Sequence, residues 1–233
     1  LLVKALIDVG HDVKVISFKR QYPKWLYPGQ SDKDPSQQPL TVPATYLLDP
    51  LYPWTWQQAV NATLAEKPDL VLFQWWTTFW ALAFAFISRG IKAKNIRVGY
   101  LIHNVIPHEA RPWDKLLAKM ALRQGDGLIV QSAGQEKVVR KLFPVARIEQ
   151  VEHPIYDMFA SQKMEKVVAR QKLGVPETLP LILFFGIVRP YKGLKQLVQA
   201  IGQLSSEGVN VGLYVAGEFW EDIHWYQQEI ERL

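Results

Sequence analysis

Short apolar runs alternate with amphipathic segments along most of the chain. The runs predict β-strands, and the segments with apolar residues at intervals of three and four predict helices. The predicted strands are 11–18, 70–76, 96–102, 128–131, 148–151, 181–185 and 211–215, and the predicted helices are 1–6, 54–67, 79–88, 112–124, 135–143, 194–205 and 221–233. Alternating strands and helices form parallel sheets, so the predicted fold class is α/β. Residues 19–44, rich in Pro, Gly, Gln and Ser, predict a long irregular loop.

The most apolar stretch, residues 70–87, raises the question of a membrane-spanning helix. Its 18 residues are at the lower limit for a helix that crosses a bilayer. Polar residues interrupt the stretch and close it at both ends. They are Asp69, Gln74, Thr77, Thr78 and Arg89. We therefore interpret it as a buried strand, a Thr cap and a buried helix, 79–88, that ends at Gly90. An integral membrane protein is the alternative.

Aromatic residues are concentrated in the same stretch. They are Trp75, Trp76, Phe79, Trp80, Phe84 and Phe86. This density predicts a hydrophobic core rather than a platform for sugar binding. Gln74 and Trp75, near the end of the strand, are the residues of this stretch expected to be within reach of a cleft.

The stretch 180–201 combines a strand, a basic loop and a helix. The run Leu181–Phe185 lacks polar alternation and predicts a strand buried on both faces. A loop with Gly186, Arg189 and Lys192 follows, and apolar residues then recur at helical spacing. Loops at the carboxyl edge of a parallel sheet bind ligands, and a helix N-terminus carries partial positive charge. With two cationic side chains added, this loop predicts a site for a phosphate or diphosphate.

A second candidate site follows the predicted strand 96–102, where His103 and Asn104 begin a loop that contains His108 and Glu109. A His at a strand end is a candidate acid, base or hydrogen-bond donor, and a structural His is the alternative. A zinc site that uses His103 and His108 is disfavoured, because their spacing is not that of a helical i, i+4 pair and no third ligand stands out.

Residues 111–123 predict an amphipathic helix with a basic stripe. The stripe consists of Arg111, Lys115, Lys119 and Arg123, and the opposite, apolar face consists of Trp113, Leu116, Leu117 and Met120. One interpretation is an ordinary surface helix whose apolar face packs on the sheet. The other is a surface that contacts anionic lipid headgroups.

Composition narrows the classes of function. The chain has 233 residues, 48% of them hydrophobic, which is ample for one large or two small domains. The absence of cysteine excludes a disulfide scaffold, thiolate zinc sites and a cysteine nucleophile, and fits a reducing compartment. The net charge of +5 is dispersed, which suits acidic small molecules or an anionic membrane and does not favour nucleic acid. The G-x-G-x-x-G, G-x-x-x-x-G-K-[ST] and G-x-S-x-G motifs are absent from the sequence.

Two motifs together resemble a known enzyme family. Gly-x-x-Arg-x-x-Lys-Gly at 186–193, between a strand and a helix, resembles the donor-diphosphate loop of retaining GT-B glycosyltransferases of family 4. Residues 213–220 resemble the next strand end of the same domain. The His-Asn-x-x-Pro-His-Glu run at 103–109 is typical of a subset of this family.

The resemblance implies a role for each candidate residue. Gly186, Arg189 and Lys192 would bind the donor diphosphate, and His103, facing the donor sugar, would be the catalytic residue. The further candidate contacts to donor or acceptor are Asn104, His108, Glu109 and Glu218. No metal is expected, because cationic side chains take its role, and no cofactor is expected, because the nucleotide-sugar is a substrate.

The implied architecture is GT-B, with two Rossmann-like parallel-sheet domains that meet near residues 152–155. Residues 1–154 are expected to form the acceptor-side domain without its first strand. Residues 155–233 are expected to form part of the nucleotide-sugar-binding domain, which is incomplete because the family's Glu-x7-Glu segment would follow Leu233. The sequence therefore looks like a fragment truncated at both ends, which alone folds at least in part but does not turn over.

The implied reaction is transfer of a sugar from a nucleotide-sugar donor to a hydroxyl acceptor, with retention of configuration. The acceptor would be a saccharide or a lipid-linked molecule, as in polysaccharide biosynthesis. The expected location is the cytoplasm, with peripheral contact at the inner face of an anionic membrane. A non-catalytic module that binds nucleotide-sugar or phosphate is the alternative from another class of function.

Overall fold

Parallel strands followed by helices recur throughout the computed structural model, which describes residues 1–23, 25–27, 29, 41–107, 109–155 and 163–232. Contacts divide the chain into two compact units, the first within residues 1–154 and the second largely from residue 155 onward. Both units are α/β, because each joins parallel strands through helices.

The elements agree closely with the predicted alternation. In the first unit the described strands are β1 (Ile16–Phe18), β2 (Thr45–Leu48), β3 (Leu70–Trp75), β4 (Arg97–Ile102), β5 (Gly127–Val130) and β6 (Ile148–Gln150). Its described helices are α1 (Leu2–Asp8), α2 (Trp54–Glu66), α3 (Ala81–Lys92), α4 (Asp114–Leu122) and α5 (Ala133–Leu142). The second unit follows with α6 (Lys166–Lys172), β7 (Leu181–Phe185), α7 (Leu194–Ser206), β8 (Gly212–Ala216) and α8 (Ile223–Arg232).

The described strands form three parallel sheets. β1 pairs with β2, the strands β3, β4, β5 and β6 form one sheet in that order, and β7 pairs with β8. The carboxyl ends of all strands in a parallel sheet lie at one edge, where loops lead into the next helix. The prediction of an α/β fold with parallel sheets is confirmed.

The core of the first unit is aromatic. Trp75, Trp80 and Tyr100 are fully buried, and Phe73 stacks on Tyr100 with ring centroids 5.2 Å apart. The Tyr100 hydroxyl shares a hydrogen bond of 2.8 Å with the Ser88 hydroxyl, and burial of the phenol raises its pKa above the ordinary value. The prediction that this aromatic stretch forms the core is confirmed except at Phe86, which is 44% exposed. The expectation that Trp75 reaches a cleft is wrong, because the side chain is fully enclosed.

The apolar stretch 70–87 does not form one continuous helix. β3 ends at Trp75, and the Thr77 hydroxyl then accepts a hydrogen bond of 3.2 Å from the Phe79 N–H, capping a 3₁₀ turn that leads into α3. The alternative of a membrane-spanning helix here is therefore wrong. Across the part of the chain that the structure describes, no helix is long and apolar enough to span a bilayer.

The prediction that Gly90 ends the following helix is also wrong. α3 continues to Lys92, and Gly90 faces α2. A Cβ on Gly90 would lie 2.9 Å from Cγ1 of the buried Val60, closer than carbon atoms normally approach. Glycine at this position permits close packing of two helices rather than termination of one.

The β1–β2 pair departs furthest from the sequence prediction. The predicted strand 11–18 is shortened to Ile16–Phe18, and β2 is absent from the prediction. Leu48 is the buried residue of β2, while its Tyr46 is exposed, so this strand carries little of the periodicity that identifies strands. Part of the predicted loop 19–44 lies outside the described residues.

The second unit has a small core, formed by the buried residues Val188, Leu194, Val198 and Tyr226. Helices α7 and α8 cover the face of the sheet that carries Phe184, Leu213 and Val215. On the other face, Leu183 is 60% and Phe185 is 81% exposed. The prediction that β7 is buried on both faces is therefore wrong, because both helices pack on one side of the strand.

Candidate functional site

His103 lies at the carboxyl edge of the four-stranded sheet, directly after β4. Its N–H donates a hydrogen bond of 2.8 Å to the Trp75 carbonyl, which extends the β3–β4 pairing by one residue. On the side chain, His103 Nε2 lies 2.8 Å from Gln74 Oε1. The amide of Gln135 donates to the His103 carbonyl from the first turn of α5. Both the backbone and the imidazole of His103 are thus fixed by neighbouring elements.

The surroundings of His103 favour a neutral imidazole. Burial lowers the pKa of His103 below its ordinary value of 6.5, and the nearby charge of His153 lowers it further, while a hydrogen bond with Gln131 opposes the shift. Because an amide oxygen can only accept, the contact with Gln74 assigns the ring proton to Nε2. Near neutral pH the ring is therefore neutral, with the amides of Gln74 and Gln131 as its hydrogen-bond partners.

The loop after His103 is anchored to the sheet by a tryptophan. The buried Trp75 donates a hydrogen bond of 3.3 Å from Nε1 to the Val105 carbonyl. Asn104 is half-buried at the start of this loop, and Glu109 is exposed near its end. His108 lies outside the described residues, so its predicted role stays a prediction.

A buried carboxylate that the sequence analysis missed closes the same loop. Asp114, the first residue of α4, accepts a hydrogen bond from the Thr78 hydroxyl and one of 2.6 Å from the Arg111 N–H. The Asp114 N–H in turn donates to the Arg111 carbonyl at 3.0 Å. The end of the 103–113 loop is therefore tied to the turn that follows β3.

In the second unit, the loop after β7 runs beside the loop after β8. The Gly186 N–H donates to the Ala216 carbonyl at 2.9 Å, and the Val188 N–H donates to the Glu218 carbonyl at 2.8 Å. A Cβ on Gly217 would lie 1.9 Å from the Gly186 carbonyl oxygen. Only glycine at position 217 allows this approach, and Gly186 itself adopts a positive φ of 112°.

The predicted diphosphate residues lie together on this loop. Lys192 Nζ would be 3.3 Å from a Cβ on Gly186, so the ammonium lies against the Gly186 backbone. Arg189 begins the 3₁₀ turn that contains Lys192, and α7 starts two residues after that lysine. Two cations and the amino end of a 13-residue helix therefore share one edge of the sheet.

Aromatic rings flank the guanidinium of Arg189. Its Cζ lies 5.3 Å from the ring centroid of Trp220 and 5.9 Å from that of Tyr191, both within cation–π distance. Trp220 also donates a hydrogen bond of 2.9 Å from Nε1 to Glu218 Oε2. Glu218 is thereby linked to Arg189 through the indole, and its predicted contact with the donor or acceptor stays a prediction.

The candidate residues lie at the sheet edges where the sequence predicts them, whereas several of the side chains that contact them were not predicted. His103 and Asn104 lie at the edge of the four-stranded sheet, and Gly186, Arg189 and Lys192 lie at the edge of the β7–β8 sheet. The residues missed are Gln135, Asp114 and Trp220. A carboxylate at the start of a helix is a signal that could have drawn attention to Asp114, whereas the contacts of the other two depend on tertiary structure.

Helix α4 presents apolar side chains beside its basic stripe. Its buried residues are Asp114, Ala118, Ala121 and Leu122. Trp113 is 54% and Leu116 is 70% exposed, so the prediction that these two belong to the face packed on the sheet is wrong. Leu122 is in the core, and Leu117 and Met120 pack against it, so the apolar face is displaced from Trp113 and Leu116 toward the small alanines.

Comparison with protein families assigns the first unit. The family model described as Glycosyltransferase Family 4 matches residues 1–156, which is more than half of the chain. The loop at 186–193 lies outside the matched residues. Among curated proteins, no match to the sequence is found. The parallel α/β fold agrees with the Rossmann-like N-terminal domain of GT-B enzymes, and the match supports a glycosyltransferase activity. The chain therefore belongs to glycosyltransferase family 4.

Proposed function

We propose that the protein transfers a sugar from a nucleotide-sugar donor to a hydroxyl group of a saccharide or lipid-linked acceptor, with retention of configuration. The observation that carries this proposal is the loop after β7, where Arg189 and Lys192 lie beside the amino end of α7. Family membership of residues 1–156 supports the transferase class. The first unit would then serve the acceptor and the second unit the nucleotide-sugar.

Departure of a nucleoside diphosphate leaves negative charge on its phosphate oxygens. Arg189 would bind these oxygens with its planar fork of N–H donors, and Lys192 would add a point charge. The unpaired N–H groups in the first turn of α7 would contribute further donors. Because the rings of Trp220 and Tyr191 flank the guanidinium, its orientation is set before the reaction, as charge stabilisation without reorganisation requires.

His103 would act on the sugar side. As a neutral imidazole oriented by Gln74, His103 would contact a sugar hydroxyl through its ring. Clamping by Gln74 and Gln135 restricts rotation of the ring and of the backbone, so the imidazole keeps its direction when substrate binds. His103 would in this way hold and polarise the sugar rather than carry charge.

Contact with an anionic membrane would bring a lipid-linked acceptor to the enzyme. Trp113 and Leu116 are exposed on α4 among the lysines and arginines of its stripe. Exposed tryptophan and leucine beside basic residues are the combination that favours the interface of an anionic bilayer. We therefore extend the proposal to peripheral membrane contact through α4, at the inner face of the cytoplasmic membrane.

The diphosphate site is tested by calorimetric titration of the chain with UDP, GDP and ADP. Arg189→Ala or Lys192→Ala should each weaken binding of the preferred nucleotide about tenfold or more, the scale for loss of a hydrogen bond to a charged group. In a transfer assay on a longer form of the protein that includes the expected Glu-x7-Glu segment, each should lower turnover by about 10²–10³-fold. Lys172→Ala on α6 removes the same charge from a helix outside the loop and should change neither quantity.

Unchanged nucleotide binding in both loop variants would refute the assignment of the diphosphate site. Tight binding without turnover by that longer form, under conditions that support transfer by other members of the family, would favour the non-catalytic binding module instead. Binding that weakens with added salt is expected in the parent chain, since the contacts are ionic.

A further inference from the structure

A cavity of about 440 Å³ opens where β1 and β2 end. The Leu48 carbonyl accepts hydrogen bonds from the Lys19 N–H at 2.8 Å and from the Arg20 N–H at 3.3 Å. This pairing brings Lys19, Arg20 and Asp49, the residues that follow the two strands, to the same place. The volume is within the range of cavities that hold small molecules.

The polar centre of this cavity is built around a buried carboxylate. Asp49 Oδ2 accepts hydrogen bonds from Arg20 Nε at 2.9 Å and from Arg20 Nη2 at 2.7 Å. Asp49 Oδ1 accepts from the Leu51 N–H at 3.0 Å. The Thr55 hydroxyl and the Trp56 indole both donate to the Asp49 carbonyl, each at 3.2 Å. Asp49 therefore holds the guanidinium of Arg20 in one orientation, and this guanidinium forms part of the cavity wall.

Aromatic rings form the rim of the cavity. The rings of Tyr52 and Trp54 lie 4.6 Å apart, and Arg20 Cζ lies 5.4 Å from the centroid of Tyr52. Trp54 is 61% and Tyr46 is 62% exposed, whereas Trp75 and Trp80 of the same unit are fully buried. Exposed aromatic side chains gathered around a cavity with fixed polar groups are typical of a ligand site.

This cavity lies at the same edge of the first unit as His103. Phe18, the last residue of β1, packs on Trp76 and Trp80 with ring centroids 5.6 Å and 4.6 Å apart. Trp76 directly follows β3, whose Gln74 contacts His103. The carboxyl ends of β1, β3 and β4 therefore lie side by side, and a long substrate bound at His103 can extend toward β1 and β2.

We infer that this cavity is a binding subsite for a saccharide that carries an acidic group, a more distant part of the acceptor of the proposed transfer. The C–H face of a pyranose stacks on an aromatic ring, and sugar hydroxyls accept hydrogen bonds from Lys19 and Arg20. The exposed amide of Gln58 at the rim both donates and accepts. A pyranose ring that stacks on an aromatic side chain, with its hydroxyls at the ring edge, would contact the aromatic and the polar groups of the cavity at the same time.

Charge selects an acidic saccharide over a neutral one. Lys19 and Arg20 bring two positive charges against the single negative charge of Asp49. The amino end of α2 begins at Trp54 and adds partial positive charge at the same rim. A uronate carboxylate placed near Lys19 gains from this excess, whereas a neutral sugar gains only the stacking and hydroxyl contacts.

The test is ligand-observed NMR titration of the 233-residue chain with cellobiouronic acid, neutral cellobiose and UDP. We expect the acidic disaccharide to bind about two- to fivefold more tightly than cellobiose, the scale of one exposed ionic contact. Trp54→Ala should weaken both disaccharides about threefold to tenfold. Lys19→Gln should remove the preference for the acidic disaccharide, so that the variant binds the two disaccharides with equal affinity. Trp25→Ala, which removes an exposed tryptophan that does not line the cavity, should change nothing.

The inference would be overturned by equal affinities of the parent chain and the Trp54→Ala variant for the disaccharides. Displacement of the disaccharide by UDP, which would mark a nucleotide site, would also overturn it. Failure of the parent chain to bind either disaccharide would do the same. Because UDP binding is expected to depend on Arg189 and disaccharide binding on Trp54, the proposed function and this subsite fail independently of each other.

Discussion

Replacing Gly217 with alanine is expected to separate the loops that carry the proposed diphosphate site. The added Cβ would lie 1.9 Å from the Gly186 carbonyl oxygen, whereas ordinary contact begins at 3.4 Å, so the backbones must part by the difference, about 1.5 Å. This shift would break the hydrogen bonds from the Gly186 and Val188 N–H groups, now 2.9 Å and 2.8 Å long. Two hydrogen bonds at about 0.5–1.5 kcal/mol each and overpacking of about 1–3 kcal/mol amount to about 2–6 kcal/mol.

Hydrogen exchange measures this loss locally. Even 2 kcal/mol corresponds to about 30-fold faster exchange at the amides of Gly186 and Val188, and UDP binding should weaken in parallel. Gly134→Ala is the matched control, because a Cβ there meets only the Ser132 hydroxyl, at 3.9 Å, in the first turn of a helix. Native protection of Gly186 and Val188 in the Gly217→Ala protein would refute the close approach of the two loops.

Three further outcomes are expected. The NMR titration midpoint of His103, identified with His103→Gln, should lie below 6.5 because burial disfavours the imidazolium. Its contribution to stability should therefore be complete above the unfolded pKa of about 6.5 and decline as pH falls through the lower folded value. Reversing Lys119 and Arg123 to glutamate should abolish binding to anionic liposomes, and salt should weaken the binding of the parent chain. Asp114→Asn should lower the free energy of unfolding in urea by about 1–3 kcal/mol, since one buried hydrogen bond loses its acceptor.

For each of these predictions, one outcome would contradict it. A His103 midpoint at or above 6.5 would contradict the argument from burial. No liposome binding by the parent chain would make α4 an ordinary surface helix, and Lys172→Glu on α6 is the control for charge alone. Urea unfolding of Asp114→Asn at the parent midpoint would show that the carboxylate does not hold the loop.

The strength of periodic patterns explains which elements could be predicted. β3 and β4 are six-residue strands whose apolar runs are long enough to identify, and their predicted bounds agree with the structure within about one residue. β2 has four residues and one buried side chain, so its pattern is too weak. The prediction for Gly90 was wrong because glycine can either end a helix or permit close contact between two helices. The contact of Gly90 with Val60 shows that the second applies here, and this contact depends on tertiary structure.

In the candidate sites, too, the residues at strand ends could be predicted from sequence and their side-chain partners could not. Strand ends can be located from sequence, which is why His103, Arg189 and Lys192 could be named in advance. Their partners are set by pairing between segments distant along the chain: Gln74 meets His103 because β3 and β4 are in register. Trp220 meets Arg189 because the loops after β7 and β8 run together. No local pattern contains that information.

The order in which the strands pair favours folding of the sheet during synthesis of the chain. In the four-stranded sheet each strand after β3 pairs with the strand immediately before it in the chain, at separations of about 20–30 residues. Each closure is therefore a modest loop with a modest entropic cost. A strand emerging from the ribosome finds its partner already synthesised and never waits for a later segment. Elongation and sheet growth can thus proceed in the same direction, one crossover at a time.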